Sequence, residues 1–353
     1  MTLPSPLTIL VHECVTGGGM AGEPLPESWA AEGRAMRRTL AADFARVDAA
    51  TRVIVTLDQR FAPDDGPWTT VSIEPDSYLE RLRDLARRAD YTVLVAPETT
   101  GVLERLTVEI EEAGGRVLGS TSEAVALTAD KSALARWFER NEIPTPRSQV
   151  VDPRAGLPAD WPYYPAVLKP VDGAGSVDTF RIAGPSSLPD AARSLASALL
   201  QPLAPGVAMS AVFLVSSQGE ARLIATGRQR MTVEDGRFVY EGGTIPVACP
   251  DAWPVLRKAV ASVVGLRGFV GVDFVWDADR REATVLEINP RATTSCVGLC
   301  RLLPPGLLAR AWLAGFADAT GWDDAIDRVT RALADAPRVR FDAAGTVSED
   351  DSK

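Results

Sequence analysis

Apolar and polar positions alternate in two rhythms along the first third of the chain. Short apolar runs predict β-strands, and the stretches between them, with apolar residues at helical spacing, predict helices. The predicted strands span 7–11, 52–57, 91–96 and 116–118. The predicted helices span 29–43, 77–88 and 102–113. Strands that alternate with helices predict a parallel sheet with helices on both faces.

The pattern changes after residue 119. Residues 122–140 predict one long helix with Ser122 as its N-cap, which ends at Asn141 before two prolines. Helices are also predicted toward residue 335. The other predicted elements are a strand at 164–169, a glycine-containing loop at 172–176, a helix at 190–200 and strands at 209–215, 220–226, 270–276 and 284–289.

These changes divide the chain into three folded parts and a tail. An α/β domain is predicted at 1–120, a central lobe at 121–200 and a C-terminal α+β lobe at 201–335. The acidic end, 336–353, is predicted to be disordered. A homodimer is compatible with this organisation.

Composition restricts the chemistry. The 353 residues are 46% hydrophobic and 24% charged, as in many globular enzymes, and a net charge of −10 argues against a nucleic-acid partner. No apolar run reaches the ~18 residues of a membrane span, and no signal peptide is recognised, so we expect a cytoplasmic protein without a membrane partner. The single histidine, His12, argues against Ser-His-Asp and multi-histidine metal chemistry. Four scattered cysteines are predicted to be structural thiols: Cys14, Cys249, Cys296 and Cys300.

The segment VLEINPRATTS, residues 285–295, is the strongest indicator of function. Glu287 and Asn289 lie two apart in a predicted strand, so their side chains point to the same face. Asp273 lies within the apolar strand GVDFVW, where a carboxylate is unfavourable unless it is paired or coordinated. The two strands predict a hairpin that brings these side chains together, and their oxygen atoms suit Mg²⁺. An exposed ion pair at a strand end is the alternative interpretation.

Candidate counter-charges precede these strands. Lys169 ends the strand AVLKP, directly before a loop whose small residues allow backbone N–H groups to approach phosphate oxygens. The loop lacks the ending of a Walker A motif, and a plain β-turn explains it equally well. Lys131, in TADKSAL, would by itself be an ordinary surface lysine of a helix.

Taken in order, a helix with DK, then LKP and a glycine loop, then GVDF and LEINPR, resemble the ATP-grasp superfamily over nearly the whole chain. The resemblance implies a pre-ATP-grasp α/β domain followed by a two-lobed ATP-grasp domain. It also implies that Lys131 and Lys169 contact the phosphates of ATP under a mobile loop, and that adenine lies at a hinge. The implied loop and hinge residues are Asp172, Gly173, Ala174, Gly175, Ser176, Gln201, Pro202 and Leu203.

The resemblance implies a reaction as well. ATP phosphorylates a substrate carboxylate, an amine attacks the acyl phosphate, and phosphate is released. Arg291 and Lys169 would be catalytic, with Arg291 stabilising the acyl phosphate and the tetrahedral intermediate. The implied ligands of one or two Mg²⁺ ions, which Mn²⁺ can replace, are Asp273, Glu287 and Asn289. Where members of the superfamily often carry an acid for the ribose, this chain has no matching residue after Gly206, so no ribose contact is assigned.

Two segments bear on the small-molecule carboxylate and amine substrates. Arg228 and Arg230, in ATGRQRM, offer cations for a carboxylate, and Arg228 is the third catalytic candidate. Gly243 belongs to a predicted glycine turn, in YEGGTIPV, that we expect over the substrate cleft. A solvated turn explains either segment equally well.

The N-terminal HECVTGGG and the helix AAEGRAMRRTLAADF are similar to a narrower group, the tyramine–glutamate ligases of methanofuran-type cofactor biosynthesis. That similarity implies glutamate and tyramine as substrates and γ-glutamyltyramine as the product. Other amino-acid ligases of the superfamily, including dipeptide ligases and those related to pyrrolysine biosynthesis, share much of the pattern and remain alternatives. An ATP-binding protein without activity is disfavoured, because all the expected lysines, acids and the asparagine are present.

The opening glycines also match the letters of a dinucleotide-binding loop, Gly-x-Gly-x-x-Gly, as in NAD(P)-dependent oxidoreductases. Such a loop leads directly into a helix, whereas Glu-Pro-Leu-Pro follows Gly22 here and delays the helix to about residue 28. We therefore predict that this turn faces the acceptor substrate, together with Glu13 and Glu32. The substrate-facing glycines would be Gly17, Gly18 and Gly19.

Overall fold

Two β-sheets organise the computed structural model, which describes residues 6–173, 177–317 and 321–350. One sheet has four strands and the other has eleven. The larger sheet carries Lys169 and the three residues that the sequence singles out for metal binding, Asp273, Glu287 and Asn289. The smaller sheet belongs to the N-terminal domain.

All strand pairs in the N-terminal sheet are parallel, and the strand order is β3-β2-β1-β4. The elements are β1 (Thr8–Glu13), α1 (Glu27–Phe44), β2 (Arg52–Asp58), β3 (Thr69–Ile73), α2 (Tyr78–Arg88), β4 (Tyr91–Val95) and α3 (Val102–Glu112). The predicted parallel α/β domain is therefore confirmed. The sequence interpretation omitted β3, whose TTVSI has little apolar character, and the strand predicted at 116–118 is reduced to one bridge between Thr92 and Val117.

The long helix predicted at 122–140 is wrong in one respect, because it is two helices. They are α4 (Ser122–Ala129) and α5 (Lys131–Arg140). Asp130 between them is extended, and its carboxylate accepts hydrogen bonds from the amides of Ser132 and Ala133 at 2.9 and 2.8 Å. An aspartate that caps a new helix competes with continuation of the old one. The N-cap of α4 is Thr121, not Ser122.

The larger sheet spans both lobes that follow, in the order β13-β12-β9-β10-β11-β7-β6-β8-β5. Its strands are β5 (Gln149–Val151), β6 (Ala166–Pro170), β7 (Phe180–Ile182), β8 (Ala198–Pro202), β9 (Val207–Val215), β10 (Ala221–Glu234), β11 (Arg237–Ile245), β12 (Gly268–Asp277) and β13 (Glu282–Asn289). The helices of this part are α6 (Trp253–Ser262), α7 (Ser295–Leu302), α8 (Leu307–Ala317) and α9 (Trp322–Ala334). The helix predicted at 190–200 is wrong, because a 3₁₀ turn at Asp190–Ser194 precedes β8.

The tip of the β10–β11 hairpin joins the two lobes. Arg237 pairs with Phe180 of β7, and its guanidinium lies 5.2 Å from the ring centroid. Two backbone hydrogen bonds flank the pair, from the amide of Arg181 to the carbonyl of Gly236 at 2.7 Å, and from the amide of Phe238 to the carbonyl of Thr179 at 2.8 Å. The sheet therefore runs without interruption from the C-terminal lobe into the central lobe.

The disordered tail predicted at 336–353 is wrong for most of its length. Residues in this range form β14 (Val339–Asp342) and β15 (Val347–Glu349), and β14 pairs with β11. The side chains of Val339 and Phe341 alternate with polar residues and are buried, so apolar contact holds this segment against the sheet.

Helix α1 packs the N-terminal domain against the rest of the chain, through α7 and α8. The buried carboxylate of Asp43 accepts hydrogen bonds from the amides of Gly306 and Ala309, at 2.6 and 2.8 Å, where α8 begins. Apolar side chains of both domains form one core. The cysteines are free thiols, buried except for the half-buried Cys300, as predicted. Within the described ranges no single helix is long and apolar enough to cross a membrane, although α7 and α8, bent by 108°, pass that test as a pair.

Candidate active site

The hairpin of β12 and β13 places Asp273 opposite Glu287, and Asn289 opposite Gly271. The amide of Asn289 donates to one oxygen of Asp273 at 3.1 Å, and the amide of Gln229, on β10, donates to the other at 2.8 Å. The three predicted metal ligands are therefore in one cluster, with the side-chain oxygens of two acids and one amide. Gln229 is an addition that the sequence interpretation missed.

Two carboxylates this close do not ionise independently. Burial and the neighbouring Glu287 raise the pKa of Asp273 to about 8. Burial opposes ionisation of Glu287 too, but Lys131 and Lys169 outweigh it and hold the pKa of Glu287 below its usual range. Lys131 and Lys169 thus favour the ionised form of Glu287, whereas burial and Glu287 favour protonation of Asp273, which a bound divalent cation would oppose.

A metal would fit this cluster through its oxygen atoms. Nowhere in the described part of the chain do three or more histidine, cysteine, aspartate or glutamate side chains converge in a metal-binding arrangement. The cluster has two carboxylates and an amide instead, which suits Mg²⁺ held jointly by protein and phosphate oxygens better than an all-protein cage.

Lys131 and Lys169 face the cluster. As the N-cap of α5, Asp130 fixes Lys131 at the first helical position, and the ammonium lies 3.3 Å from a Glu287 oxygen and donates to the carbonyl of Gly173. Lys169 lies near the carboxyl end of β6 and is 8% exposed. Burial lowers the pKa of Lys169 to about 8, an effect that Glu287 and Asp273 oppose. The surface interpretation of Lys131 is therefore wrong, because only 7% of the residue is exposed.

The predicted hinge residues lie at the end of β8 and in the segment that follows it. Gln201 and Pro202 end β8, and the Gln201 amide donates to the hydroxyl of Ser148 at 2.8 Å. Leu203 leaves the sheet toward β9, and its backbone amide donates to the carbonyl of Pro165 at 2.9 Å. In the predicted phosphate loop, Asp172 forms a backbone bridge with Asp130. The loop residues outside the described ranges are Ala174, Gly175 and Ser176.

Arg291 connects the cluster to the N-terminal domain. Its guanidinium donates to Glu98, just beyond β4, at 2.8 Å, and to the carbonyl of Ala292 at 3.1 Å. Burial disfavours the charge of Arg291, but Glu98, Glu32 and Glu287 raise its pKa above the usual value. Glu98 was also missed by the sequence interpretation, although its place after a parallel strand is a known signal for ligand binding.

Two family models match this chain in succession. The pre ATP-grasp 3 domain matches residues 51–125, and the ATP-grasp domain matches residues 128–295. The chain belongs to the ATP-grasp family of ATP-dependent ligases. The predicted succession of a pre-ATP-grasp domain and an ATP-grasp domain is confirmed, and so is the predicted enzyme class.

Relatives of this ATP-grasp chain include curated enzymes and solved structures. A tyramine–L-glutamate ligase of Methanocaldococcus fervens is 28% identical over 300 residues, which are 82% of this chain and 89% of that ligase. A crystal structure described as an ATP-grasp superfamily protein from Archaeoglobus fulgidus has a TM-score of 0.63 at 23% identity, covering 95% of this chain and 92% of that one. An L-amino acid ligase from Bacillus licheniformis has a TM-score of 0.64 at 13% identity, covering 88% and 75%. The two structures share the fold.

Membership in the ATP-grasp family gives the depressed pKa of Lys169 a measurable consequence. The ammonium is charged below about pH 8 and loses its proton above it. If ATP phosphates contact Lys169 as predicted, they favour its charged form, and ATP binding should raise the pKa of Lys169 and take up a proton between about pH 8 and 9. We expect the binding enthalpy of ATP at pH 8.5 to depend on the ionisation enthalpy of the buffer. In Lys169→Arg, whose side chain stays charged, this contribution should vanish; an unchanged buffer dependence would contradict the assignment.

The β10–β11 hairpin of the ATP-grasp domain does not place Arg228 and Arg230, the predicted substrate-binding arginines, beside Asp273 and Glu287. Strand alternation directs Arg228 away from the face on which Gln229 reaches Asp273, and Arg228 is exposed. Arg230 donates to the carbonyl of Glu241 at 2.7 Å. Gly243 lies within β11, not in a turn, and a side chain there would press against the ring of Phe341. The catalytic role of Arg228 and the substrate roles of Arg230 and Gly243 stay predictions.

The opening glycines are packed into their own domain. A side chain at Gly17 would overlap the carbonyl of Glu13, and Gly18 has a φ of 107° with Ile73 at 2.5 Å from the position of a Cβ. A side chain at Gly19 would overlap the thiol of Cys14. The delayed helix is confirmed, since α1 begins at Glu27. Close packing within the N-terminal domain is therefore enough to explain why these positions are glycine. Contact between this turn and a substrate stays a prediction.

Proposed function

We propose that this ATP-grasp ligase joins a carboxylate to an amine through an acyl phosphate, with conversion of ATP to ADP and phosphate. The observation that carries the proposal is the single cluster in which Asp273, Glu287 and Asn289 face Lys131 and Lys169. Paired acids and buried ammonium groups together match the needs of phosphoryl transfer, where negative charge spreads over several oxygens.

Each residue has a distinct role in the proposed reaction. Lys131 and Lys169 neutralise the phosphates of ATP, and their burial strengthens that interaction. Asp273, Glu287 and Asn289 would hold Mg²⁺, which supplies Lewis-acid stabilisation of the transferred phosphoryl group when bound. Arg291 places a permanent cation at the end of β13, where it can stabilise negative charge on the acyl oxygens.

The reaction needs no histidine. His12 is buried in the N-terminal domain, with its ring nitrogens 2.6 Å from the Thr56 hydroxyl and 2.9 Å from that of Tyr78. Burial lowers the pKa of His12 to about 3, so the ring is neutral at physiological pH. The proposed residues are therefore lysine, arginine and acidic side chains with Asn289.

For the substrates we propose glutamate and tyramine, which would place the reaction in methanofuran-type cofactor biosynthesis. The support is the Methanocaldococcus relative, whose name specifies these two compounds and which this chain matches over most of its length. The opening segment of this chain supports the same assignment.

The proposed function predicts the products. With L-glutamate, tyramine and Mg²⁺, ATP should yield ADP and phosphate in amounts equal to γ-glutamyltyramine, and each omission should abolish turnover. Chromatography of the nucleotides together with mass spectrometry of the amide measures both. AMP and pyrophosphate would contradict the acyl phosphate, whereas ADP formed only with another pair from a panel of amino acids and amines would overturn the substrates alone.

A further inference from the structure

Glu98 has a buried oxygen that nothing in the described structure satisfies. The residue is 4% exposed, and one of its carboxylate oxygens pairs with Arg291 while the other has no hydrogen-bond partner in the described residues. The Nε of Arg291 is likewise buried and unpartnered there. A buried polar atom without a partner is unfavourable, so this arrangement indicates that a ligand completes it.

The charged side chains around Arg291 indicate the sign of the charge on that ligand. Three carboxylates stabilise its guanidinium, those of Glu98, Glu32 and Glu287. Glu287 is balanced by Lys131 and Lys169 on the nucleotide side. On the N-terminal side, Glu98 forms an ion pair with the guanidinium, whereas Glu32 acts on it through its charge and accepts a hydrogen bond from the hydroxyl of Thr294. Two carboxylates therefore act against one guanidinium here, and the unsatisfied oxygen of Glu98 favours a cation.

We propose that Glu98, together with Glu32, binds the protonated amino group of a substrate. The inference rests on the proposed function, because it requires a substrate with an amino group next to the site of carboxylate activation. An ammonium supplies three N–H donors, which match the free oxygen of Glu98 and the carboxylate of Glu32.

The position of Glu98 in the fold would place a bound ammonium group close to Arg291. It follows β4 at the carboxyl edge of the parallel sheet, and Arg291 extends from the end of β13 toward it. A substrate held by its ammonium on Glu98 would therefore lie next to the cation that faces the activated carboxylate. The ammonium has two sources in a carboxylate–amine ligase, the α-amino group of an amino acid or the acceptor amine, and both have the same chemistry.

The test is Glu98→Gln, which keeps the size of the side chain and removes its charge. We expect the KM of one amino-bearing substrate to rise about 10- to 100-fold, the loss typical of a charged hydrogen bond, with the KM of ATP unchanged. If the α-amino group is the source, the KM of L-glutamate rises and that of its des-amino analogue glutarate does not. If the acceptor is the source, the KM of tyramine rises instead.

Three comparisons make the result decisive. Glu112→Gln, an exposed acid at the end of α3, is the matched control and should leave every KM unchanged. Arg291→Lys should lower kcat with glutarate as well, whereas Glu98→Gln should not if its role is ammonium binding. Glu32→Gln, with a half-buried side chain, provides a second variant if Glu98→Gln does not fold, and should raise the same KM.

Two results would overturn the proposal. One is an unchanged KM for every amino-bearing substrate in both glutamate variants. The other is an equal rise in the KM of glutarate and of L-glutamate with the KM of tyramine unchanged, which would reduce Glu98 to positioning Arg291. Failure of the proposed function is separate, because it appears in the unmodified enzyme as absence of ADP with glutamate and tyramine; the same comparison is then made with whichever amino-bearing pair supports ADP release.

Discussion

Glu287→Gln is expected to lower the rate of ADP release by about a thousandfold or more while the chain stays folded. The substitution keeps the shape of the side chain and removes the ionised acid of the cluster, the one that Lys131 and Lys169 keep deprotonated. Loss of one preorganised charge at a phosphoryl-transfer site has effects of this order. Steady-state assays over a range of Mg²⁺ concentrations, with circular dichroism to check the fold, measure it.

The same strand provides the control for Glu287→Gln. Glu282 begins β13 and is exposed, so Glu282→Gln changes the net charge equally without touching the cluster. It should retain full activity. If Glu287→Gln kept the activity of Glu282→Gln, the metal and phosphate assignment of the whole cluster would be wrong. A rate that recovered at high Mg²⁺ would show that the loss lies in metal affinity.

Asp43→Ala is expected to lower the free energy of unfolding by about 3 kcal/mol, more than the ~2 kcal/mol of a strong helix cap, because two buried amides lose their acceptor. The buried carboxylate accepts from two backbone amides at the first turn of α8, where the helix dipole also favours a negative charge. Burial raises the pKa of Asp43, and the amides of Ala309 and Gly306 oppose that shift. Without the side chain, two buried N–H groups lose their partner. Urea denaturation followed by tryptophan fluorescence measures the change.

Two further variants separate the capping role of Asp43 from a general effect. Asp65→Ala removes an exposed acid of the same domain and should change the free energy of unfolding by less than about 0.5 kcal/mol. Asp43→Asn keeps one acceptor oxygen and should lose less than Asp43→Ala. Equal stability of Asp43→Ala and Asp65→Ala would show that α8 does not depend on α1 for its cap.

The fold was predictable where the hydrophobic pattern had one interpretation. The apolar runs that became β1, β2 and β4 have no competing periodicity. The segment before residue 202 has two possible interpretations, because a short apolar run such as ALLQP suits a strand and a helix alike. Its pairing with β6 decides in favour of the strand. The break at Asp130 and the strand at 339–342 depend on contacts made only after folding, with Val171 and with β11.

The site was predictable in its residue types and less so in its boundaries. Asp273 and Asn289 can be recognised in the sequence because they are polar residues in apolar strands. Gln229 could not be predicted in the same way, because the adjacent charged Arg228 and Arg230 are the more obvious candidates for substrate binding in the sequence. Only the pairing of the strands shows which face of the sheet each side chain occupies. Glu98 lies 193 residues before Arg291, so no local pattern could pair them.

The joint between β11 and β7 is one of several attachments of strands β5 to β8, and it is a weak one. The chain itself continues from α5 into β5 and from β8 into β9, and the amide of Lys131 donates to the carbonyl of Val171 at 3.0 Å. The β11–β7 joint is a ladder one residue pair long, with two flanking backbone hydrogen bonds and an Arg237–Asp178 ion pair at 3.5 Å between partly exposed side chains. Each of these contacts is worth about 1 kcal/mol or less. Loss of the β11–β7 contacts alone would therefore cost only a few kcal/mol, and we expect the larger sheet to open first at this edge.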